Sequence, residues 1–197
     1  MAADPGSGHT SLVDEVTDLA LRGARGDEAA LADLIRRTQA DVWRYCAHLN
    51  GPHEADDLTQ EVYLRAIRAL PSFRGEAPVR TWLLTIARRT CADHVRAPVR
   101  RRRLGDELER REQQRATPAE SDHAGAHGLE SLIAELPDDQ RSAFTLTQVL
   151  GLSYAETASV CGCPVGTVRS RVARAREAVI SALADAEAIP GDGTADI

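Results

Sequence analysis

The sequence predicts an all-α protein with two small helical domains joined by a flexible linker. Aromatic residues make up only 4% of the 197 residues, and the chain has no long alternating runs of Val, Ile and Thr, which would indicate strands. Apolar residues instead recur every three or four positions, as one face of a helix requires. The hydrophobic fraction of 43% is sufficient for compact cores in a chain of this length.

The first domain is expected over residues 11–97. Residues 1–10 are small, Gly-rich and polar, so they are expected to be disordered. Asp27 is a suitable N-cap for a helix that ends near Gly51. The apolar residues of this helix form one continuous stripe, made of Leu31, Leu34, Ile35, Val42, Cys46 and Leu49.

Two further helices complete this domain. One begins near Glu54 and ends at Pro71, and its buried face carries Leu58, Val62 and Ala66. A loop over 72–78 leads to the other, which spans about Val79 to Arg96. We expect its inward residues to be Leu83, Ile86, Ala87 and Thr90, and its outward residues to be Arg80, Arg88, Arg89 and Arg96.

Residues 98–127 are charged and poor in apolar residues, which predicts a linker that begins where Pro98 ends the first domain. Four arginines occupy 100–103, and they either lie along DNA phosphates or form a solvated run. The second domain is expected over 128–183. Residues 184–197 are acidic and contain Gly, which predicts a loose tail.

The second domain begins with two short helices. Leu129, Leu132, Ile133 and Leu136 lie on the first, and Pro137 starts the second, which closes at Gly151. Asp138 and Asp139 fall in the first turn of that second helix, where the helix dipole favours carboxylates.

The end of the second domain has the pattern of a helix-turn-helix. Ser153 and Glu156 form a capping box, Gly162 ends the helix, and Pro164 suits the first position of the next one. In that last helix we expect four residues to face the core, namely Val168, Val172, Ala175 and Val179.

The other face of this last helix is polar. Thr167, Ser170, Arg171 and Arg174 recur at helical spacing and therefore share a face that a DNA major groove can receive. Arg169 and Arg176 flank this face on the phosphate side. A solvated basic helix is the alternative interpretation of the same residues.

The net charge of −6 averages two opposed segments. Residues 1–61 hold five arginines and twelve acidic residues, which gives −7, whereas residues 80–115 hold eleven arginines and five acidic residues, which gives +6. This asymmetry indicates an acidic face for a protein partner and basic faces for nucleic acid. A solvated acidic helix surface would account for the first segment equally well.

The four cysteines do not form a metal-binding pattern. Cys161 and Cys163 flank one glycine, closer together than in the usual zinc knuckle, and Cys46 is expected to be a small buried apolar residue. No cofactor is expected. The chain has no signal peptide and no apolar run near the roughly 18 residues of a membrane span, which predicts a cytoplasmic protein.

Four motifs together resemble the extracytoplasmic-function class of bacterial sigma factors, in the branch of the sigma C type. The resemblance extends over residues 15–183. The motifs, in order, are DDLTQEVYL at 56–64, RTWLLTIAR at 80–88, Leu136-Pro137, and GCPVGTVRSR at 162–171.

The resemblance implies sigma domain two followed by sigma domain four, in a protein that is not an enzyme and gives core RNA polymerase its promoter specificity. It implies docking on the beta-prime clamp helices through Asp56, Asp57, Gln60, Glu61 and Leu64. It also implies contacts with the beta flap, with promoter DNA, and with an anti-sigma factor, as in many relatives.

The resemblance further implies that the −10 element meets the loop 73–76 and the helix that follows it. The residues concerned are Phe73, Arg74, Arg80, Trp82, Arg88, Arg89 and Arg96. Trp82 is equally compatible with a place in the core, and Arg89 stands where the family commonly has Asn. The −35 element would meet Thr167, Arg169, Ser170, Arg171 and Arg174.

Two other functions would account for parts of the sequence. A stand-alone helix-turn-helix regulator explains 128–183 but leaves the acidic helix and the motif at 80–88 unexplained. A metalloenzyme that used Asp56, Asp57 and Glu61 with His53 would need a second ligand cluster or a nucleophile–base pair, and neither accompanies them.

Overall fold

The computed structural model describes residues 7–105 and 127–187, and side chains are described over 15–96 and 131–184. All regular secondary structure within those ranges is helical, so the predicted fold class is confirmed. The α-helices are α1 (Ser7–Gly23), α2 (Glu28–Asn50), α3 (Pro52–Ala69), α4 (Val79–Gly105), α5 (His127–Ala134), α6 (Asp138–Phe144), α7 (Tyr154–Cys161) and α8 (Val165–Glu187). A 3-10 turn over Leu70–Ser72 follows α3, and a π-helical segment over Thr145–Val149 follows α6.

The predicted helix signals are present at the helix ends. The Asp27 carboxylate accepts a hydrogen bond from the Ala30 amide at 2.9 Å, which caps α2. Ser153 and Glu156 form the reciprocal capping box of α7. Gly162 ends α7 in the left-handed conformation at φ +63°, which glycine adopts without strain.

Three expected boundaries differ from the structure. Helix α1 starts at Ser7, inside the segment expected to be disordered, and α8 continues to Glu187, inside the expected tail. Helix α4 does not stop at Pro98 but runs to Gly105, because one proline removes a single backbone hydrogen bond and the arginines that follow are good helix formers. The remaining parts of the predicted terminus, linker and tail, at 1–6, 106–126 and 188–197, lie outside the described residues.

Helices α1 to α4 form a first unit, and the predicted inward faces of α3 and α4 are buried in it. Leu58, Val62 and Ala66 are buried on α3, and Leu83, Ala87 and Thr90 are buried on α4, where the predicted inward residue Ile86 is half-buried against the same core. On α2 the predicted stripe contributes Leu34, Val42 and Cys46 to the same core. These burials fix which sides of α2 and α3 remain at the surface.

Helices α5 to α8 form a second unit around the apolar face of α8. The predicted core residues Val168, Val172, Ala175 and Val179 are all buried. They pack in two small clusters against residues of α5 and α6, which include Ile133, Ala143 and the half-buried Phe144. The opposite face of α8 is left at the surface.

The two units share one continuous hydrophobic core. Leu146, Leu150, Leu152, Val160 and Cys161 of the second unit belong to the same cluster as the buried residues of α2 and α4. Helix α4 therefore packs against α7 as well as against α1, α2 and α3. Leu84 is fully buried although the helical pattern did not place it inside, because it lies on the side of α4 that the second unit covers.

Candidate nucleic-acid and protein interfaces

An exposed groove runs between α2 and α3, and we call it the α2–α3 groove. Helix α2 lines it with Ile35, Gln39 and Trp43, which are spaced four residues apart and so share one face, and also with Ala40 and Arg44. Helix α3 lines it with Asp56, Thr59, Gln60, Tyr63, Leu64 and Ile67. Trp43, Leu64 and Ile67 are 39%, 50% and 41% exposed, so three large apolar side chains lie at the surface along this groove.

The residues predicted to contact polymerase lie together on this part of α3. Asp56, Gln60 and Leu64 line the groove, and the Trp43 indole Nε1 donates to the Asp56 carboxylate at 2.8 Å. Asp57 is exposed beside them. Glu61 accepts a hydrogen bond from Arg65 at 2.7 Å, so among the described residues it is the member of the predicted set that forms an ion pair.

Beneath the groove lies an uncharged pair. The Thr38 and Tyr63 hydroxyl oxygens are 2.8 Å apart, and burial raises the pKa of Tyr63 to about 12. Tyr63 therefore stays neutral at physiological pH. The groove thus combines apolar and neutral polar side chains with the charged side chains of Arg44 and Asp56.

The aromatic residues predicted to receive a base are packed against each other. The Phe73 and Trp82 ring centroids are 5.0 Å apart with the rings tilted by 43°. Phe73 is only 9% exposed and belongs to the main core, and Trp82 packs against that core. The interpretation of Trp82 as a core residue thus agrees with the structure, and Phe73 is buried rather than displayed to DNA in this arrangement.

The predicted −10 arginines divide into engaged and free side chains. Arg80 Nε donates to Asp41 at 2.7 Å, and Arg80 Nη2 donates to the Leu150 carbonyl oxygen of the second unit at 2.6 Å. Arg88 Nη2 lies 3.9 Å from Asp139 Oδ1, also in the second unit. The other three, Arg74, Arg89 and Arg96, are exposed and have no ion pair within the described part of the chain.

A buried polar contact joins the two units beside these arginines. The Tyr45 and Ser142 hydroxyl oxygens are 2.8 Å apart, and burial raises the pKa of Tyr45 above its usual range. A cavity of about 430 Å³ adjoins this contact, lined from α4 by Arg88, Cys91 and Arg96 and from α6 by Asp138 and Asp139. The contact between the units is thus apolar in its core and polar at this edge.

Four of the predicted −35 residues, Thr167, Ser170, Arg171 and Arg174, lie at helical spacing on α8, and Arg169 flanks them. Arg169 and Arg174 are exposed, and neither forms an ion pair with a described residue. The Ser170 hydroxyl donates to the Thr167 carbonyl oxygen at 2.9 Å. Arg171 is different, because its Nη2 donates to Asp139 Oδ2 at 2.6 Å and its Nη1 lies 3.5 Å from Cys163 Sγ.

The cysteines are free thiols. Cys46 and Cys91 are buried with their sulfurs 3.8 Å apart, and donation from the Cys91 thiol lowers the pKa of Cys46. Burial raises the pKa of the Cys161 thiol. Among the described residues there is no group of three potential metal ligands and no helix apolar enough to cross a membrane.

Sequence reasoning missed several residues of these surfaces. Trp43 and Ile67 are the exposed apolar residues of the groove, and the four-residue spacing of Ile35, Gln39 and Trp43 was a usable signal for it. The sequence predicts for Asp139 only a stabilising interaction of its carboxylate with the first turn of α6. No sequence signal placed it between Arg88 and Arg171, because that position depends on how the two units pack.

Comparison with known proteins assigns both units. Residues 34–103 match the family model described as sigma-70 region 2, and residues 127–179 match the one described as sigma-70, region 4. The first match accounts for the acidic helix and the motif at 80–88, which a stand-alone regulator would leave unexplained.

Curated relatives span almost the whole chain. It is 51% identical over 185 residues to a probable RNA polymerase sigma-C factor of Mycobacterium bovis, covering 88% of this chain and 92% of that protein. It is 37% identical over 179 residues to the extracytoplasmic-function sigma-E factor of Escherichia coli K12, covering 84% and 94%.

Solved structures agree with these relatives. The sigma factor RpoE of Bartonella quintana, in complex with the anti-sigma factor NepR, gives a TM-score of 0.65 at 26% identity, covering 78% of this chain and 96% of that one. CnrH in complex with the cytosolic domain of CnrY gives 0.64 at 25% identity, covering 87% and 97%. The chain therefore belongs to the extracytoplasmic-function RNA polymerase sigma factors of the sigma-C type, which are transcription initiation factors and not enzymes.

Proposed function

We propose that this sigma factor docks on core RNA polymerase through the α2–α3 groove. The observation that carries the assignment is the exposed apolar groove, with Trp43, Leu64 and Ile67 at its surface and carboxylates beside it. An apolar centre with a charged rim is the usual anatomy of a protein interface. The beta-prime clamp helices are the partner that the family resemblance implies, with Asp56, Asp57, Gln60, Glu61 and Leu64 as the contact residues.

The −10 element is assigned to the arginine side of α4 and the loop before it. Arg74, Arg89 and Arg96 are exposed and unpaired among the described residues, so they are available to backbone phosphates of a melted strand. Arg80 and Arg88 join them once the second unit moves away. Phe73 and Trp82 act as a tilted aromatic pair behind the strand, and a base reaches them only if Phe73 leaves the core.

The −35 element is assigned to α8. Arg169 and Arg174 are exposed on its polar face, and Thr167, Ser170 and Arg171 lie beside them. A bidentate arginine–guanine contact contributes roughly 1–3 kcal/mol of discrimination. Farther along α8, Ile180 and Leu183 are 65% and 42% exposed, and we assign this apolar end to the beta flap.

These partners place the protein in the cytoplasm, where polymerase and promoter DNA are. Because two solved relatives are complexes with an anti-sigma factor or with the cytosolic domain of another protein, an anti-sigma protein is a further expected partner of the same surfaces. This chain binds and opens promoters as a subunit, and polymerase carries out the catalysis.

Run-off transcription with sigma-free core polymerase tests the assignment. The doubly substituted Asp57→Arg, Glu61→Arg chain is expected to lose core binding and all specific transcripts. Arg174→Ala is expected to keep core binding and to lose transcripts from promoters that depend on the −35 element. Arg25→Ala, in an exposed turn without an assigned role, is the control. Core binding that survives the double substitution would contradict the groove assignment.

A further inference from the structure

The three carboxylates assigned to polymerase docking differ in what holds them. Asp56 Oδ1 accepts a hydrogen bond from Trp43 Nε1 at 2.8 Å, which joins α3 to α2. Glu61 instead forms an ion pair with Arg65 at 2.7 Å. Asp57 is exposed and forms no ion pair with a residue of the described chain. One carboxylate is therefore held by a neutral donor, one is paired with a cation, and one is unrestrained.

The hydrogen bond from Trp43 orients the Asp56 carboxylate and leaves its charge available. An indole N–H is a neutral donor, so Asp56 keeps its full negative charge. Among the described residues only Trp43 engages this carboxylate, through Oδ1, and Oδ2 can therefore accept a hydrogen bond from a partner. Glu61 is in the opposite situation, because the cation Arg65 already neutralises it.

The contact lies at the surface of the groove and not in the core. Trp43 is 39% exposed, Asp56 is exposed, and both line a cavity of about 570 Å³ between α2 and α3. Arg44 lines the same cavity, but its ion-pair partner in the described chain is Asp41 of its own helix, at 3.9 Å. The Asp56 carboxylate is thus oriented where a docking protein can reach it.

We propose that Trp43 is a positioning residue for polymerase docking, and that Asp56, the carboxylate it holds, is the dominant acidic contact of the α2–α3 groove. The proposal rests on the docking function proposed above and ranks the residues within it. A side chain that is already ordered in the free chain loses less conformational entropy when it binds. The complementary group on polymerase is a cationic side chain that donates to Asp56 Oδ2.

Three single substitutions in the full chain test this ranking, with affinity for core polymerase measured by biolayer interferometry. Asp56→Ala should weaken binding roughly tenfold or more, as the loss of a hydrogen bond to a charged group does. Asp57→Ala makes the same change of charge at the next residue and should weaken binding roughly two- to fivefold. Trp43→Phe keeps an aromatic ring but removes the N–H donor, and it should weaken binding roughly two- to tenfold because Asp56 is no longer held.

Two double-substitution cycles separate positioning from a direct contact of Trp43 with polymerase. In the Asp56→Ala chain, Trp43→Phe should weaken binding further by less than about twofold, because no carboxylate is left to orient. In the Asp57→Ala chain, Trp43→Phe should keep its full effect. The unfolding temperature of each variant, measured without polymerase, shows whether the chain is folded.

The other outcomes identify which assignment fails. An equal loss from Trp43→Phe in both backgrounds would show that Trp43 acts through its own contact, and would overturn the positioning role. The same role would be rejected if Asp56→Ala weakened binding and Trp43→Phe alone did not. An Asp56→Ala chain that bound as tightly as Asp57→Ala, with both weakened, would overturn the ranking. Full affinity of both alanine variants would contradict the docking function itself, and hence the proposal that rests on it.

Discussion

The α2–α3 groove and the arginine side of α4 belong to the same unit, yet only the arginine side of α4 is covered by the second unit. Trp43, Leu64 and Ile67 remain exposed in the groove, with no other part of the described chain covering them. On α4, Arg80 and Arg88 contact the second unit, and Leu84 between them is buried. One surface is open in the free chain, and the other is covered.

This difference follows from what each surface needs as a partner. Guanidinium groups are satisfied by carboxylates and by carbonyl oxygens, and the second unit supplies one of each with Asp139 and Leu150. A long apolar groove needs an apolar element of matching shape, which the described residues do not supply. In this arrangement the proposed polymerase surface is exposed, whereas the second unit covers part of the proposed −10 surface.

The largest expected effect tests whether the shared core makes the two units fold as one. Leu146 is fully buried and belongs to the second unit, but it packs in the core that contains α2 and α4. Leu146→Ala should lower the free energy of unfolding by about 2–5 kcal/mol, measured by urea denaturation of the full chain. Both units should unfold in a single transition.

Leu183→Ala, at an exposed position of α8, is the control for this substitution and should change the unfolding free energy by less than about 0.5 kcal/mol. Two separate transitions, with only that of the second unit destabilised by Leu146→Ala, would show that the units fold independently. This result would contradict a shared core that makes them fold as one.

The next prediction concerns the open surface alone. Leu64→Arg places a charge at the centre of the groove, and its affinity for core polymerase should fall about 10- to 30-fold, as is usual for the loss of a central interface residue. Since Leu64 is half exposed, the thermal unfolding of the free chain should not change. Binding can be measured by biolayer interferometry, with Ser131→Arg on α5 as a control of equal charge change, which should bind like the unsubstituted chain.

Much of the fold and part of the site could be predicted from the sequence. Local signals fixed the caps at Asp27 and Ser153 and the buried face of α8, because capping and helical spacing act within a few residues. The engaged state of Arg80 could not be predicted, because its acceptor is a backbone carbonyl 70 residues away. The burial of Leu84 could not be predicted either, because it also depends on how the two units pack. Helix continuation past Pro98 was missed because one proline does not decide a helix end by itself.

Arg80 and Arg89 give a matched pair on the same helix. Arg80→Ala removes the bonds to Asp41 and Leu150 and should lower the unfolding free energy by about 1–2 kcal/mol. Arg89→Ala removes an exposed arginine without an ion pair in the described chain and should have an effect below about 0.5 kcal/mol. Both should weaken promoter opening by the holoenzyme. If both substitutions lowered the unfolding free energy of the free chain equally, the division into engaged and free arginines would be contradicted.

The smallest expected effect lies at the start of the helix-turn-helix. Ser153→Ala removes the capping box of α7 and should lower the unfolding free energy by about 1 kcal/mol. Ser159→Ala, on the exposed side of the same helix, is the control. Core polymerase affinity should be the same for both variants, and a loss specific to Ser153→Ala would mean that the groove is coupled to this distant cap.

We expect core polymerase to bind the exposed α2–α3 groove while the second unit moves away from α4. Donor and acceptor dyes at Asp18 and Ser181, exposed positions on the first and second units, report their separation by resonance energy transfer. We expect a high efficiency of energy transfer in the free chain and a clear decrease when core polymerase is added. In the Leu64→Arg variant, addition of core polymerase should leave the efficiency unchanged. High transfer that persists in the holoenzyme, or low transfer in the free chain, would contradict this expectation.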